Sequence, residues 1–346
     1  MALLINGRSL LRPVTGVERY AHMLVRVIAK EWPDTRVIIP GSVEKDPEVH
    51  GLEIVRVRGK GGHAWEQLLL PKAVGKGDLL LSPANTGPLR VRRQLVVVHD
   101  LAVIHHPEWF DRRFAKWYGF LLPRLTRRVA KVLTVSRYSA LDLERTFDLP
   151  ASRIGVVPPY AWSAPLRSGG DPGIGRPYCL FVGSRDPRKG IDRVLSWYES
   201  LTAPSFDLVL VGRKGVQFAA MEERAVAGVH SLDDVGDERL AALYANAIAL
   251  LHPSRAEGFG LPVLEAMASG CPVIANDLPV SRELFGDAIR YVDFNKPNDL
   301  SIALEELRIS TTRSALIEQG RQRVGSYAEA DTIRALRSVL EPLLHS

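Results

Sequence analysis

Short, β-branched apolar runs alternate along this chain with longer stretches whose apolar positions recur at helical spacing. The first pattern is that of strands buried on both faces, and the second is that of helices covering them, so the chain reads as α/β with parallel sheets. In the first half the spacing predicts strands at 2–6, 35–39, 52–57, 78–81, 95–98, 131–135 and 153–157. In the second half it predicts strands at 178–182, 206–211, 229–232, 247–251, 272–276 and 289–292. Each half reads as a doubly wound, Rossmann-like sheet.

Between the halves, Val157 to Pro177 holds Pro158, Pro159, Pro165, Pro172 and Pro177 together with Gly169, Gly170, Gly173 and Gly175. That composition suits an exposed connector and not a packed element. The expected organisation is an N-terminal domain at 1–160, a linker at 161–177, a C-terminal domain at 178–325 and a last helix within 326–346. Ile333, Leu336, Val339, Leu340 and Leu343 make that helix amphipathic. The pattern leaves open where it docks.

With 46% hydrophobic and 24% charged residues, the composition is that of an ordinary folded globule. The net charge of +6 favours polyanionic partners without choosing among phosphates, nucleotides, anionic lipid and nucleic acid. Only Cys179 and Cys271 occur, both in apolar surroundings, which excludes a disulfide scaffold and a cysteine metal site and fits a reducing cytoplasm. The N-terminus reads as a first strand with no signal peptide. No apolar stretch approaches the ~20 residues a bilayer span requires, so contact with a membrane is expected to be peripheral.

The richest chemistry lies in Pro253 to Pro272, at the carboxyl end of a buried strand, where open α/β sheets place ligands. Gly258 and Gly260 permit close backbone approach, and Pro262 suits the first turn of a helix from about Leu261 to Ser269, ended by Gly270. The start of that helix, with Phe259 in the preceding loop, offers unpaired N–H groups and partial positive charge to a diphosphate. Glu257 and Glu265 flank this cradle, and carboxylates accept hydroxyl hydrogen bonds well. The pair suits a sugar nucleotide, with sugar at Glu257 and ribose at Glu265. The simpler reading is that Glu257 caps the loop and Glu265 complements the helix dipole.

A second anion contact follows the strand at 178–182, where Gly183 precedes Ser184, Arg185, Asp186, Pro187, Arg188, Lys189 and Gly190. Three cations here can neutralise a diphosphate and its leaving-group charge, although basic loops are often merely solvated.

In the first half, Gly16 opens a helical pattern after the first strand and can bring N–H groups to a phosphate, or it can be a plain turn. His99 and Asp100 end an apolar strand, and a histidine there can donate to a sugar hydroxyl or phosphate, or satisfy a turn. Trp65, Glu66, Gln67 and the loop Gly59 to Gly62 are assigned no chemistry. From Trp109 to Lys131, seven cations mix with Trp109, Phe110, Phe114, Trp117 and Phe120. Such a helix can lie on an anionic membrane, and it can equally bury its aromatics in the core.

The run Glu257-Gly-Phe-Gly-Leu-Pro-Val-Leu-Glu265-Ala-Met-Ala, continuing through Gly270 to Ala275, resembles the donor-site signature of retaining family-4 glycosyltransferases. The resemblance implies the GT-B fold, two Rossmann-like domains facing across a cleft with donor in the C-terminal one. It assigns Pro187 to Gly190 to the diphosphate, with Lys189 the best match, and leaves Arg185 and Arg188 as alternatives for the second cation. Relatives carry arginine directly after the glycine, where this chain has Ser184. The resemblance also implies that Gly16 contacts the distal phosphate, that His99 is an active-site residue, and that Ser136 and Arg137 belong to a Val-Ser-x-x-Ser element lining the cleft. Val157-Pro158-Pro159-Tyr160 departs from the Pro-Asn-Gly of many relatives.

No Asp-x-Asp occurs and no acidic or histidine cluster has metal-ligand spacing, so no metal is expected. The expected catalytic residues are His99, Lys189 and Glu257, acting by orientation and electrostatics, with the leaving phosphate deprotonating the acceptor in a front-face, retaining displacement. By resemblance to mannosyltransferases of bacterial surface polysaccharides the donor is GDP-mannose, with UDP-hexose the alternative. The acceptor is then a glycan or lipid-linked saccharide, and nucleic acid is not a partner. Base contacts are expected at Gly212, Arg213 and Lys214 and along 229–232. The other readings are a nucleotide-sugar epimerase or phosphorylase on the same fold, or a non-catalytic nucleotide-sugar binder. No Gly-x-Gly-x-x-Gly follows the first strand, which argues against a dinucleotide oxidoreductase.

Overall fold

The computed structural model describes residues 1–161, 170–213, 218, 226–233 and 235–345. Pro165 and Gly169 of the expected linker, and Lys214 of the expected base-binding turn, lie outside the described residues.

The chain forms two compact units. In chain order the first contains β1 (Leu3–Asn6), α1 (Gly16–Glu31), β2 (Arg36–Pro40), β3 (Glu53–Val57), α2 (Gly62–Leu68), β4 (Leu79–Ser82), β5 (Gln94–Val97), α3 (Ala102–His105), α4 (Arg112–Arg128), β6 (Lys131–Thr134), α5 (Arg137–Phe147) and β7 (Ile154–Val156). Its seven strands are all parallel, in the order β3-β2-β1-β4-β5-β6-β7. The second contains β8 (Tyr178–Val182), α6 (Ile191–Glu199), β9 (Asp207–Val211), β10 (Val229–Leu232), α7 (Asp237–Asn246), β11 (Leu250–His252), α8 (Leu261–Ala268), β12 (Val273–Asn276), α9 (Pro279–Phe285), β13 (Arg290–Val292), α10 (Pro297–Glu306) and α11 (Ser310–Val324). Its six strands are also parallel, in the order β10-β9-β8-β11-β12-β13.

Every apolar run read as a strand forms one. The continuous burial of β4, β5 and β9 explains why they read as unbroken hydrophobic stretches: helices cover both faces of a parallel sheet. The largest displacement is at 247–251, where pairing begins only at Leu250 and extends to His252. Both cysteines are free and buried, and burial pushes the Cys271 thiol up to about 12.

The final helix, α12 (Glu329–Leu344), belongs to the first unit. Its apolar face carries Leu336 and Leu340, both fully buried, and Val339 lies against Gly155 of β7. Thr332 donates to the Pro158 carbonyl at 2.8 Å, and Lys30 pairs with Glu329 at 2.6 Å. A second exchange runs the other way. His106–Phe114 belongs to the second unit, with Phe110 in an antiparallel bridge to Phe218 and their rings 5.3 Å apart.

Candidate donor site and the fold around it

In the second sheet the order reverses between β8 and β11: β9 and β10 extend on one side, β12 and β13 on the other. Loops leaving the carboxyl ends of two such strands diverge over a crevice, the usual ligand position in open parallel sheets. The basic loop leaves β8 and the glycine-glutamate loop leaves β11. They run together, since the Arg255 N–H donates to the Arg188 carbonyl at 2.8 Å.

The basic loop is shaped by Asp186. Its side chain is fully buried and accepts from the Arg188 N–H at 3.0 Å and the Ser184 hydroxyl at 2.5 Å, capping the 3₁₀ turn Pro187–Lys189. Ser184, the departure from the family pattern, therefore fixes the loop through Asp186. Lys189 is delivered onto Glu257, with Nζ 2.5 Å from Oε1. The same oxygen accepts from the Ser254 hydroxyl at 2.7 Å and lies 3.3 Å from His252 Nε2. Oε2 has Arg188 at 3.9 Å.

Glu257 and Lys189 are 8% and 9% exposed, so this is an ion pair largely out of water. Burial alone would push the Glu257 carboxyl up. The adjacent Lys189 ammonium, then His252 and Arg188, act in the opposite direction and hold it well below the ordinary carboxylate range.

Beyond Glu257 the chain turns at Gly260 into α8, with Pro262 in the first turn. Phe259 is buried edge-on to Phe285 and Tyr327, which anchors the loop between the two glycines. The helix ends in paired bonds from the Gly270 N–H to the Met267 carbonyl and from the Cys271 N–H to the Ala266 carbonyl, the Schellman arrangement. Pro262 carries no N–H and the Val263 N–H is bonded to the Gly260 carbonyl at 3.0 Å, so the Leu261 N–H heads this end of the helix, the one with partial positive charge. Glu265 is half-buried and accepts from the Tyr244 hydroxyl at 3.0 Å.

The structure separates the two candidate arginines. Arg185 donates from Nε to the Gly212 carbonyl at 3.1 Å and pairs with Asp233, toward the loop after β9. Arg188 faces Glu257. Gly183 begins the basic loop, its N–H bonded to the Val211 carbonyl.

In the first unit the strand order reverses between β1 and β4. Gly16 opens α1 after β1, with the Thr15 N–H held by Glu18 at 3.3 Å. His99 is 7% exposed, and its N–H donates to the Asn85 side chain at 2.7 Å. Its Nε2 is 3.2 Å from the Pro83 carbonyl, which can only accept, so Nε2 carries a proton in this contact. Asp100 caps α3 through the Ala102 N–H. Ser136 caps α5, and the Ser139 hydroxyl donates to the His99 carbonyl at 3.2 Å, so the Val-Ser-x-x-Ser element positions His99.

Sequence reasoning passed over His252 and Ser254. His252 ends β11 and Ser254 stands three residues before Glu257, positions from which side chains at a strand end can turn back on the loop. Glu66, assigned no chemistry, is fully buried, accepts from Asn6 at 2.7 Å and Thr86 at 2.6 Å, and lies 3.5 Å from Arg8.

An α/β protein with two parallel sheets and a charged, helix-capped cradle at a switch point is of a nucleotide-binding class. Comparison with known proteins makes this specific. Residues 14–160 match the family described as Glycosyltransferase Family 4, and residues 171–323 match Glycosyl transferases group 1. The chain belongs to this family of glycosyltransferases, and its fold is GT-B. It is 29% identical over 339 residues to an O-antigen chain mannosyltransferase B of Escherichia coli, covering 87% of this chain and 88% of that one. It is also 29% identical over 234 residues to the O-antigen chain mannosyltransferase RfbU of Salmonella typhimurium, covering 66% of this chain and 64% of that one. Among solved structures, HepE of Anabaena in complex with UDP and glucose superposes with a TM-score of 0.75 at 15% identity, covering 99% of this chain and all of that one, a likeness of fold.

Proposed function

We propose that this glycosyltransferase moves mannose from GDP-mannose to a saccharide or lipid-linked acceptor of a cell-surface glycan. The observation that carries the donor site is the enclosed Lys189–Glu257 pair beside the start of α8. Lys189, Arg188 and the amides of Gly258, Gly260 and Leu261 take the diphosphate, Glu257 takes hexose hydroxyls, and Glu265 takes the ribose. Arg185, turned toward Gly212, serves the nucleoside side with Arg213. Of the first unit, the family pattern assigns Gly16 to a phosphate contact and His99 to the active site.

Mannose as the sugar is supported by the names of the two bacterial relatives, both mannosyltransferases of O-antigen chains. UDP-hexose is the second reading, favoured by the UDP and glucose bound in the Anabaena structure. The reaction retains configuration, with the leaving phosphate accepting the acceptor proton, and uses cations of the chain where other enzymes use a divalent ion. Among the described residues no group of His, Cys, Asp and Glu is placed to hold a metal. Also among them, no helix is long and apolar enough to cross a membrane. We place the enzyme in the cytoplasm, with the basic aromatic segment 109–131, where Phe120 is exposed with Arg124 over its ring, as a contact for anionic lipid.

The test is to incubate the protein with GDP-mannose or UDP-glucose, with and without a glycan and lipid extract of bacterial envelope, and to follow release of nucleoside diphosphate. Release is expected to depend on the extract and to be larger with GDP-mannose. Conversion of the sugar without acceptor would favour an epimerase, and binding without turnover a non-catalytic binder.

A further inference from the structure

The imidazole of His252 presents an unresolved polar atom. It is 3% exposed, and Nε2 lies 3.3 Å from Glu257 Oε1, near enough to act on the carboxylate but without the alignment of a full hydrogen bond. A buried polar group left unmatched is uncommon and calls for a physical reason. The reason is on the neighbouring atoms. Oε1 is already taken by Lys189 at 2.5 Å and by the Ser254 hydroxyl at 2.7 Å, so a third donor reaches the oxygen in distance but finds no well-aligned place.

We propose that His252 is the reserve partner of Glu257: when a diphosphate draws the Lys189 ammonium away, the His252 Nε2–H moves into the vacated place on Oε1. This rests on the donor-site reading above and adds to it a positioning residue and an exchange of partners. The chemistry requires some such device. Lys189 has one charge to share between a buried carboxylate and a doubly charged ligand, and a buried carboxylate stripped of its cation is costly. With Ser254 and His252 both on Oε1, the carboxylate keeps its orientation throughout, and Oε2, whose contact is Arg188 at 3.9 Å, is the atom presented to a sugar hydroxyl. No bond is made or broken in the exchange, and no proton leaves the site.

A structural histidine and a reserve histidine differ in when they matter. In the free protein Nε2 makes only this long, poorly aligned approach to Oε1, so replacing the ring by another ring costs little until ligand arrives. The experiment compares the parent with His252→Phe and His252→Gln, measuring melting temperature without ligand and calorimetric affinity for GDP, GDP-mannose, UDP and UDP-glucose. The expected result is that His252→Phe melts with the parent yet binds the preferred diphosphate and its sugar conjugate about ten-fold more weakly. His252→Gln, which restores an N–H at a similar reach, recovers most of that loss. On the parent, the His252 Nε2–H proton resonance should move downfield when that diphosphate is added, a reading that needs no variant. Parental affinity in His252→Phe, or a resonance that does not move, would overturn the proposal. So would a lowered melting temperature in both variants, since that marks a structural role. If the parent binds none of the four ligands, it is the donor-site reading that fails.

Discussion

A Cβ on Gly190 would lie 2.3 Å from the carbonyl oxygen of Pro253, backbone against backbone. With φ at +66°, Gly190 also sits where side chains are strained, so two independent constraints demand glycine between the basic loop and the loop from β11. This approach is what lets Lys189 reach Glu257.

Gly190→Ala is accordingly expected to destabilise the protein by about 1–3 kcal/mol, the usual cost of a residue forced into such backbone. It should weaken donor binding beyond that, because the two loops separate. Denaturant unfolding and donor titration together check both parts. A control, Gly175→Ala, where a Cβ meets nothing, should change neither.

The Glu257 carboxyl is held well below the ordinary carboxylate range, with a definite sign for pH. A group whose folded pKa is depressed adds stability above its unfolded pKa and loses it as pH falls through the folded one. The stability of the parent should therefore show no carboxylate step near pH 4.5 from this residue. Lys189→Met removes the nearest cation, so a step from Glu257 should then enter the accessible range. Denaturant unfolding from pH 4 to 8 in both proteins decides it.

Arg188 and Arg185 should fall into different classes. Arg188→Ala is expected to weaken binding of nucleotide sugar and diphosphate alike by about ten-fold, the loss of one charge-assisted contact of about 1.4 kcal/mol. Arg185→Ala, which loses its contacts to Gly212 and Asp233, should alter discrimination between guanine and uracil nucleotides more than affinity for inorganic pyrophosphate. Competition binding with those ligands checks the division.

Glu66 carries a stability prediction for the first unit. Burial favours the neutral acid, but His63 and Arg8, with Thr86 and Asn6, more than offset it, and the carboxyl is held low. Glu66→Leu would leave Arg8 and Asn6 without their acceptor, an expected cost of about 3 kcal/mol. The melting temperature should drop while Glu66→Gln drops it less.

The strands and the switch-point loops could be read from the chain because parallel strands buried on both faces leave unbroken apolar runs, and because Gly258, Gly260, Pro262 and Gly270 have meanings set by backbone geometry. The docking of α12 could not. Leu336 and Leu340 define an apolar face, but which unit it covers depends on the distant Gly155 and Pro158. Nor could the choice between Arg185 and Arg188, three residues apart, since it turns on Asp186 capping the intervening turn and on Asp233 far along the chain. His252 was hidden for another reason. It ends an apolar strand, and only the folded loop places it on Glu257.

The central claim is that a sugar diphosphate binds over β8 and β11, and the most direct test is the distance from Lys189 Nζ to the ligand in crystals soaked with GDP-mannose or UDP-glucose. A phosphate oxygen is expected at about 2.8 Å from Nζ, with a hexose hydroxyl at similar range from Glu257 Oε2. A bound donor whose diphosphate lies more than about 6 Å from Lys189, beyond any direct contact, would contradict it.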